Sequence, residues 1–129
     1  SYIHWPAEKP KRGSLPLLLI HGFDSSGLEY RRLGPKLAAK GIDTYAVDIV
    51  GWGYTQQDGV ASFSAAAKVE ALKSFVNTMF GATSKFCIAG ASLGGAGAIE
   101  LAAAKQEECA GLILIDAQGF VDGVGPMAA

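Results

Sequence analysis

The sequence lacks the features that mark several large classes of protein. Its 129 residues carry 11 basic and 12 acidic side chains, so no excess of one charge is present to bind nucleic acid or an anionic membrane surface. The longest apolar runs, residues 15–20 and 109–115, are much shorter than the ~18 residues that a membrane-spanning helix requires. The two histidines and two cysteines have no spacing typical of a metal site, and no glycine-rich nucleotide-binding motif follows a strand. We therefore expect no nucleic acid, no transmembrane segment, no metal and no cofactor.

The low cysteine content also bears on the compartment. Cys87 and Cys109 lie within apolar stretches, and a chain of which 50% of the residues are hydrophobic needs no disulfide framework. This predicts buried free thiols and a reducing intracellular compartment. The chain begins at Ser1 without an apolar or arginine-rich leader, so we expect that any targeting peptide has been removed or was never included. At the usual ~100–200 residues per domain, its length predicts one domain over residues 1–129.

Short apolar runs alternate along the chain with longer helical ones, a pattern typical of βαβ units that build a parallel sheet. Residues 2–5 predict a short strand, and the turn residues at 6–14 suggest that it opens a hairpin. Further strands are predicted at residues 15–20, 42–47, 86–89 and 112–115. Helices are predicted at residues 29–40 with an interruption near Gly34 and Pro35, at 63–79 with Ser62 or Ser64 as cap, and at 93–105. Residues 117–129 predict no further element. The fold class is therefore α/β, with a mainly parallel sheet and helices on both faces.

Residues 90–94 fit the pattern G-x-S-x-G, placed between a predicted strand and a predicted helix. In that pattern small residues flank a serine on a strained strand-to-helix turn, where larger side chains would collide. The exposed amides of the helix N-terminus then favour negative charge at the turn. Ser92 is accordingly a candidate nucleophile. The alternative is a glycine-rich helix start that serves only close packing.

A second turn predicts donors for that negative charge. His21, Gly22 and Phe23 directly follow the strand at residues 15–20, so the Phe23 N–H is expected at the carboxyl end of that strand. The N–H of Leu93 directly follows the candidate nucleophile. If right-handed crossovers make the two strands neighbours, both N–H groups lie on one edge of the sheet and form an oxyanion hole beside Ser92.

Four segments together resemble the α/β-hydrolase family over nearly the whole chain. They are residues 21–24 after the first long strand, 48–53 after the second, the serine turn at 90–94, and 112–116. Their order and spacing agree with strands two to six of that family, which implies an incomplete α/β-hydrolase fold truncated before the cap and the last strands. The amino-acid sequences of residues 19–26 and 46–53 are most similar to those of plant and algal plastid members of the family, and this resemblance implies a chloroplast location.

The departures from the family concern the catalytic base. In the family the serine is followed along the chain by an acid and then by a histidine. The only histidines here, His4 and His21, both precede Ser92, so the chain as given is expected to be nearly inert. His21 is expected to brace the oxyanion turn, and His4 to be exposed on an edge strand.

Two aspartates occupy family positions after strands. Asp116 follows the last predicted strand, where a minority of members carry the acid, so it is a possible acid; the alternative is an ordinary loop or helix-capping residue. Asp48 most resembles a structural residue of the loop after the second long strand.

The last predicted strand, formed by Leu112, Ile113, Leu114 and Ile115, is apolar on both faces, as interior strands are. At the edge of a sheet it would present unpaired backbone groups and bare side chains to solvent. Burying one such side chain stabilises an association by ~1.5–3 kcal/mol, so we expect further strands or a protein partner to cover it.

Two functions follow. The first is the amino-terminal part of a serine hydrolase that acts on a small-molecule ester, thioester or amide. The second is a non-catalytic, hydrolase-like structural subunit of a larger assembly, such as a photosynthetic assembly of the plastid.

Overall fold

A five-stranded sheet, covered by helices on both faces, organises residues 1–118, which are the residues that the computed structural model describes. The strands are β1 (Tyr2–Trp5), β2 (Leu17–Ile20), β3 (Thr44–Val47), β4 (Phe86–Ala91) and β5 (Cys109–Ile115), in the spatial order β1-β3-β2-β4-β5. The helices are α1 (Leu33–Ala39), α2 (Ala65–Phe80) and α3 (Leu93–Ala104), with a 3-10 turn at Gly27–Tyr30. Strands β2 to β5 are parallel and β1 is antiparallel to β3. The predicted α/β class and mainly parallel sheet are confirmed.

Alternate side chains of the central strands enter two separate cores. On β2, Leu18 and Ile20 belong to the core that α2 and α3 cover, whereas Leu17 and Leu19 belong to the core with Tyr30 on the other face. All four β2 side chains are buried, as expected for a central parallel strand between two helical layers. Because β2 is parallel to both β3 and β4, the carboxyl ends of these three strands lie at the same edge of the sheet.

The predicted hairpin between the first two strands is wrong. Strand β1 pairs with β3, with Tyr2 opposite Val47 and Trp5 opposite Thr44. Strand β2 does not pair with β1: it lies between β3 and β4 and is parallel to both. The turn residues at 6–14 indicate a loop, but they do not indicate which strand pairs with β1.

The predicted interruption of the first helix is also misplaced. The break lies at Arg31 and Arg32, between the 3-10 turn and α1. Gly34 and Pro35 are the second and third residues of α1, where a proline is tolerated because the N–H it lacks would have no intrahelical acceptor. Gly34 is required there for a different reason, since a Cβ at this position would overlap the ring of Trp5.

Strand β5 begins at Cys109, earlier than predicted, and lies at the open edge of the sheet formed by the described residues. Its Leu112, Ile113, Leu114 and Ile115 are between 39% and 52% exposed, as the edge-strand argument expects. Cys109 packs against one core and Cys87 packs against the other, on the opposite face of the sheet. The two cysteines are free and half-buried rather than fully buried. The pKa of the Cys87 thiol is raised, mainly because the thiol is partly buried and to a smaller extent because Cys109 is nearby.

Candidate active site

Ser92 occupies a sharp corner between β4 and α3. Its φ of 51° and ψ of -119° are unusual for a residue other than glycine, and its side chain is exposed. The corner is held by the backbone, because the Ser92 N–H donates to the Ile115 carbonyl at 3.1 Å and the Ser92 carbonyl accepts from Gly95 at 2.9 Å and Gln118 at 2.8 Å. The Ser92 hydroxyl makes no capping hydrogen bond to α3, so it is available for another partner.

The two glycines of the G-x-S-x-G pattern are required by space. A Cβ on Gly90 would overlap the Gly94 carbonyl and approach Ala98 at 2.8 Å. A Cβ on Gly94 would overlap the backbone carbonyls of Ile20 and His21. The N-terminus of α3 therefore lies directly against the end of β2, and this approach depends on the absence of side chains at both positions.

The turn that follows β2 touches the Ser92 corner. A Cβ built on Gly22 would lie 3.4 Å from Ser92 Cβ and 3.6 Å from the Ala91 carbonyl oxygen. Phe23 directly follows this contact and Leu93 directly follows Ser92, so both amides lie next to the junction. Among residues 1–118 we find no acceptor for either N–H.

His21 is fully buried and both of its ring nitrogens are engaged by backbone. Its Nε2 accepts from the Ile49 N–H at 3.0 Å, which places the ring proton on Nδ1, and Nδ1 donates to the Gly22 carbonyl at 2.7 Å. The ring thus joins the turn after β2 to the loop after β3. These contacts agree with the bracing role expected from the sequence and leave no ring nitrogen free for proton transfer.

Asp48 also connects the segment after β2 to the loop after β3. Its carboxylate accepts from the Gly27 N–H at 2.6 Å and from the Tyr54 N–H at 2.9 Å, and the residue is 6% exposed. Its backbone carbonyl accepts from the Thr55 hydroxyl at 2.8 Å. Asp48 is a structural residue of the loop after β3, as expected.

Glu29 contacts the turn after β2, a contact that motif reading missed. Its carboxylate accepts from the Gly22 N–H at 3.1 Å. The only local signal is that Glu29 stands three residues after Ser26, which caps the 3-10 turn, and such a glutamate usually bonds back to its cap residue. Here it bonds to the earlier turn. Burial, followed by the charge of Glu29, also raises the pKa of the neighbouring Tyr30, whose hydroxyl donates to the Ile20 carbonyl.

Replacing Glu29 tests whether this carboxylate holds the turn. Glu29→Ala removes the acceptor of the Gly22 N–H in a partly buried hydrogen bond, which should cost about 1 kcal/mol of unfolding free energy. Glu29→Gln keeps an oxygen acceptor and should cost much less. Hydrogen exchange of the Gly22 amide, followed by NMR, should be faster in the alanine variant and nearly unchanged in the glutamine variant. Equal protection in both variants would show that Glu29 does not hold the turn.

Asp116 and His4 are placed differently relative to Ser92. Asp116 is exposed, has a φ of 47° and directly follows Ile115, whose carbonyl is bonded to the Ser92 N–H. His4 lies on β1, the far edge of the sheet, where its Nε2 is 2.8 Å from Asp43 and its ring stacks on Tyr45. His4 is exposed on an edge strand, as predicted, and two strands separate it from β4.

Further ligand classes receive no support from the described residues. Within residues 1–118, no group of three or more histidine, cysteine, aspartate or glutamate side chains is placed to hold a metal ion. In the same part of the chain, no helix combines the length and the apolarity that crossing a membrane requires.

Known proteins resemble this chain over most of its length. The family model of the serine aminopeptidases of family S33 matches residues 14–122, most of the chain. An α/β-hydrolase domain-containing protein, VTE7 of Arabidopsis thaliana, is 34% identical over 110 residues, which are 85% of this chain and 33% of that protein. Lipase 3 of Moraxella sp. (strain TA144) is 32% identical over 105 residues, which are 81% of this chain and 32% of that protein.

The fold is shared with solved structures. A thermophilic esterase from Thermogutta terrifontis superposes with a TM-score of 0.79 at 25% identity, over 95% of this chain and 42% of that chain. The chain spans about a third of the length of the two curated relatives, VTE7 and Lipase 3. Because the family model covers most of the sequence and the folds agree, the chain belongs to the serine aminopeptidase S33 family of α/β-hydrolases.

Proposed function

We propose that this chain is the amino-terminal portion of a serine hydrolase, that Ser92 is its nucleophile, and that its substrate is an ester, a thioester or an amide. The observation that carries the proposal is the exposed Ser92, held at a positive φ where the α3 N-terminus touches the turn after β2. An ester is favoured within that range, because the relatives include a protein named as a lipase and a structure named as an esterase.

The proposed reaction begins when Ser92 Oγ attacks the carbonyl carbon of the substrate and its hydroxyl proton passes to a general base. The carbonyl π electrons move to the oxygen, and the N–H groups of Phe23 and Leu93 donate to that oxyanion. When the tetrahedral intermediate collapses, the base gives its proton to the leaving group, which departs and leaves an acyl group on Ser92 Oγ. Water then attacks the acyl carbon and loses a proton to the base; the second intermediate collapses, Ser92 Oγ takes that proton, and the acyl group leaves as a carboxylic acid.

Residues 1–118 do not provide the general base. His21 uses both ring nitrogens in backbone contacts, and His4 lies at the far edge of the sheet. We propose that the base is a histidine beyond the last strand described, as the family order of serine, acid and histidine implies. Without it, oxyanion donors alone would leave a residual ~10³–10⁴ over the uncatalysed reaction.

The acid of the triad has one candidate position among the described residues. Asp116 is exposed and follows the strand that is bonded to the Ser92 corner. Its φ of 47° lies in a region that aspartate and asparagine tolerate better than most residues, so a loop role explains the same observation. Asp116 is thus the candidate acid among the described residues, and its substitution distinguishes the two roles.

Labelling with a fluorophosphonate probe tests the proposal. The full-length protein should react at Ser92, identified by mass spectrometry of the labelled peptide, whereas Ser92→Ala should not react and the isolated 129-residue chain should react very slowly. Asp116→Asn keeps the backbone preference and removes the charge; it should slow labelling by about 10³-fold or more if Asp116 is the acid, and leave it unchanged if not. Failure of the full-length protein to label under conditions that label a control hydrolase would contradict the proposal.

A second candidate function is a structural subunit, favoured by the exposed apolar side chains of β5. In that case Leu112, Ile113, Leu114 and Ile115 dock against a neighbouring protein, and we propose the chloroplast as the place to look because of the likeness to plant members. The isolated chain should then aggregate or require a partner when examined by size-exclusion chromatography. A stable monomer at micromolar concentration would contradict this alternative.

A further inference from the structure

We infer that Glu29 is a positioning residue of the proposed reaction: its carboxylate, through the Gly22 N–H, fixes the turn that presents the Phe23 N–H to the oxyanion. The inference rests on the proposed function for the identity of the reaction. It adds a residue that belongs neither to the serine motif nor to the family order of serine, acid and histidine. The contact that carries it joins two segments of the described chain, because Glu29 lies in the 3-10 turn and Gly22 in the turn after β2.

The turn after β2 depends on outside contacts because the residue before the proposed donor is a glycine. Gly22 joins two planar peptide groups, and glycine allows more backbone conformations than any other residue. The second of these groups, which carries the Phe23 N–H, is held by His21, since Nδ1 donates to the Gly22 carbonyl at 2.7 Å. The first group is held by Glu29, whose carboxylate accepts from the Gly22 N–H at 3.1 Å. The two hydrogen bonds together set the direction of the Phe23 N–H.

The Glu29 carboxylate is presented by a segment that is itself fixed. Two residues earlier, the Gly27 N–H donates to the Asp48 carboxylate at 2.6 Å. The next residue, Tyr30, is buried, and its hydroxyl donates to the Ile20 carbonyl at 2.8 Å. The 3-10 turn is thus bonded to the end of β2 and to the residue that follows β3. Glu29 therefore reaches the turn after β2 from an anchored backbone, as a positioning residue must.

A shift of the turn reaches the nucleophile directly. A Cβ built on Gly22 would lie 3.4 Å from Ser92 Cβ and 3.8 Å from Glu29 Oε2, so the serine corner, the turn and the carboxylate surround one point. Removal of one oxyanion donor lowers kcat by about 10²–10³-fold, and a misplacement of about 1 Å can cost about 10²-fold. Loss of Glu29 displaces a donor without removing it, so we expect a loss of about 10- to 100-fold.

The hydrogen bond of Glu29, and not its charge, is the part that assists the reaction. A negative charge near a developing oxyanion opposes that oxyanion by Coulomb repulsion. Glu29→Gln keeps a side-chain oxygen that accepts from the Gly22 N–H and removes the charge. A positioning role therefore predicts that glutamine restores what alanine loses.

Ester hydrolysis by the full-length protein tests the inference, with 4-nitrophenyl butanoate as the substrate. Glu29→Ala should lower kcat about 10- to 100-fold. Acylation and deacylation both pass through an oxyanion, so both slow together and KM should stay within about twofold. Glu29→Gln should keep kcat within about threefold of the original protein. The rate of fluorophosphonate labelling of Ser92 is the second readout and should fall in the same order.

Two variants at the opposite edge of the sheet are the controls. Thr44→Val, at the amino end of β3, removes a hydroxyl that donates to the Ile42 carbonyl at 2.9 Å. It should lower stability about as much as Glu29→Ala and leave kcat unchanged. Glu107→Ala removes an exposed carboxylate just before β5 and should also leave kcat unchanged, which controls for the loss of one negative charge.

Four results would each overturn the inference: an unchanged kcat in Glu29→Ala, a change in KM alone, an equal loss in Glu29→Gln, or an equal loss in Thr44→Val. The proposed function is judged separately, by labelling of the original full-length protein at Ser92. If that protein labels and Glu29→Ala labels as fast, the role of Glu29 alone is contradicted. If the original protein does not label, the proposed function is contradicted.

Discussion

Replacing Gly94 by alanine is expected to cost about 3 kcal/mol or more of unfolding free energy, the largest effect on stability that we predict for a single methyl group in this chain. The added Cβ would overlap the backbone carbonyls of Ile20 and His21, which are fixed by the central strand and do not move aside as a flexible side chain would. Relief requires α3 to shift away from β2, and this separates the Ser92 corner from the turn after β2. Urea unfolding followed by circular dichroism measures the cost.

Gly97→Ala is the matched control for Gly94→Ala. It lies in the same helix and its Cβ has room, so the better helix propensity of alanine should make it neutral or up to ~1 kcal/mol stabilising. If Gly94→Ala were as stable as Gly97→Ala, the close approach of α3 to the end of β2 would be wrong. In the full-length protein, Gly94→Ala should also lower the rate of fluorophosphonate labelling.

Replacing Asp48 by alanine is the second large effect, with an expected cost of about 2–4 kcal/mol. The Gly27 and Tyr54 N–H groups would both lose their acceptor, and the Gly27 N–H is buried. The loss would loosen the loop after β3, which reaches His21 through Ile49. Chemical denaturation of the purified protein gives the free energy of unfolding.

Asp48→Asn separates the charge from the shape. It keeps one acceptor oxygen for the Gly27 N–H but places an amide N–H₂ opposite the Tyr54 N–H, so it should cost about half as much as the alanine variant. An alanine variant within about 0.5 kcal/mol of the original protein would contradict the structural role of Asp48.

The parts of the fold that sequence reading predicted are those governed by local pattern. The apolar runs of β2 and β4 have the composition of buried parallel strands, and Ser64 caps α2 at one of the two serines expected. The partner of β1 was not predictable in this way, because Tyr2–Trp5 alternates like any edge strand and its pairing with β3 is decided by tertiary packing.

In the candidate site, too, the residues that belong to a local motif were predictable, whereas a residue that depends on a tertiary contact was not. The serine corner was predictable from a motif in which glycines permit close backbone approaches, and the structure shows those approaches at Gly90 and Gly94. Glu29 was missed because its acceptor role depends on the three-dimensional position of Gly22, seven residues earlier, and no local pattern encodes that contact.

The central claim is that the Phe23 and Leu93 amides converge on the oxygen of an acyl group bound to Ser92. A crystal structure of the full-length protein after reaction with a fluorophosphonate tests it most directly, because the phosphoryl oxygen mimics the oxyanion. We predict phosphorus bonded to Ser92 Oγ and its oxygen about 2.7–3.1 Å from both backbone nitrogens. An adduct whose oxygen points away from Phe23 and Leu93, or an adduct on a residue other than Ser92, would contradict the claim.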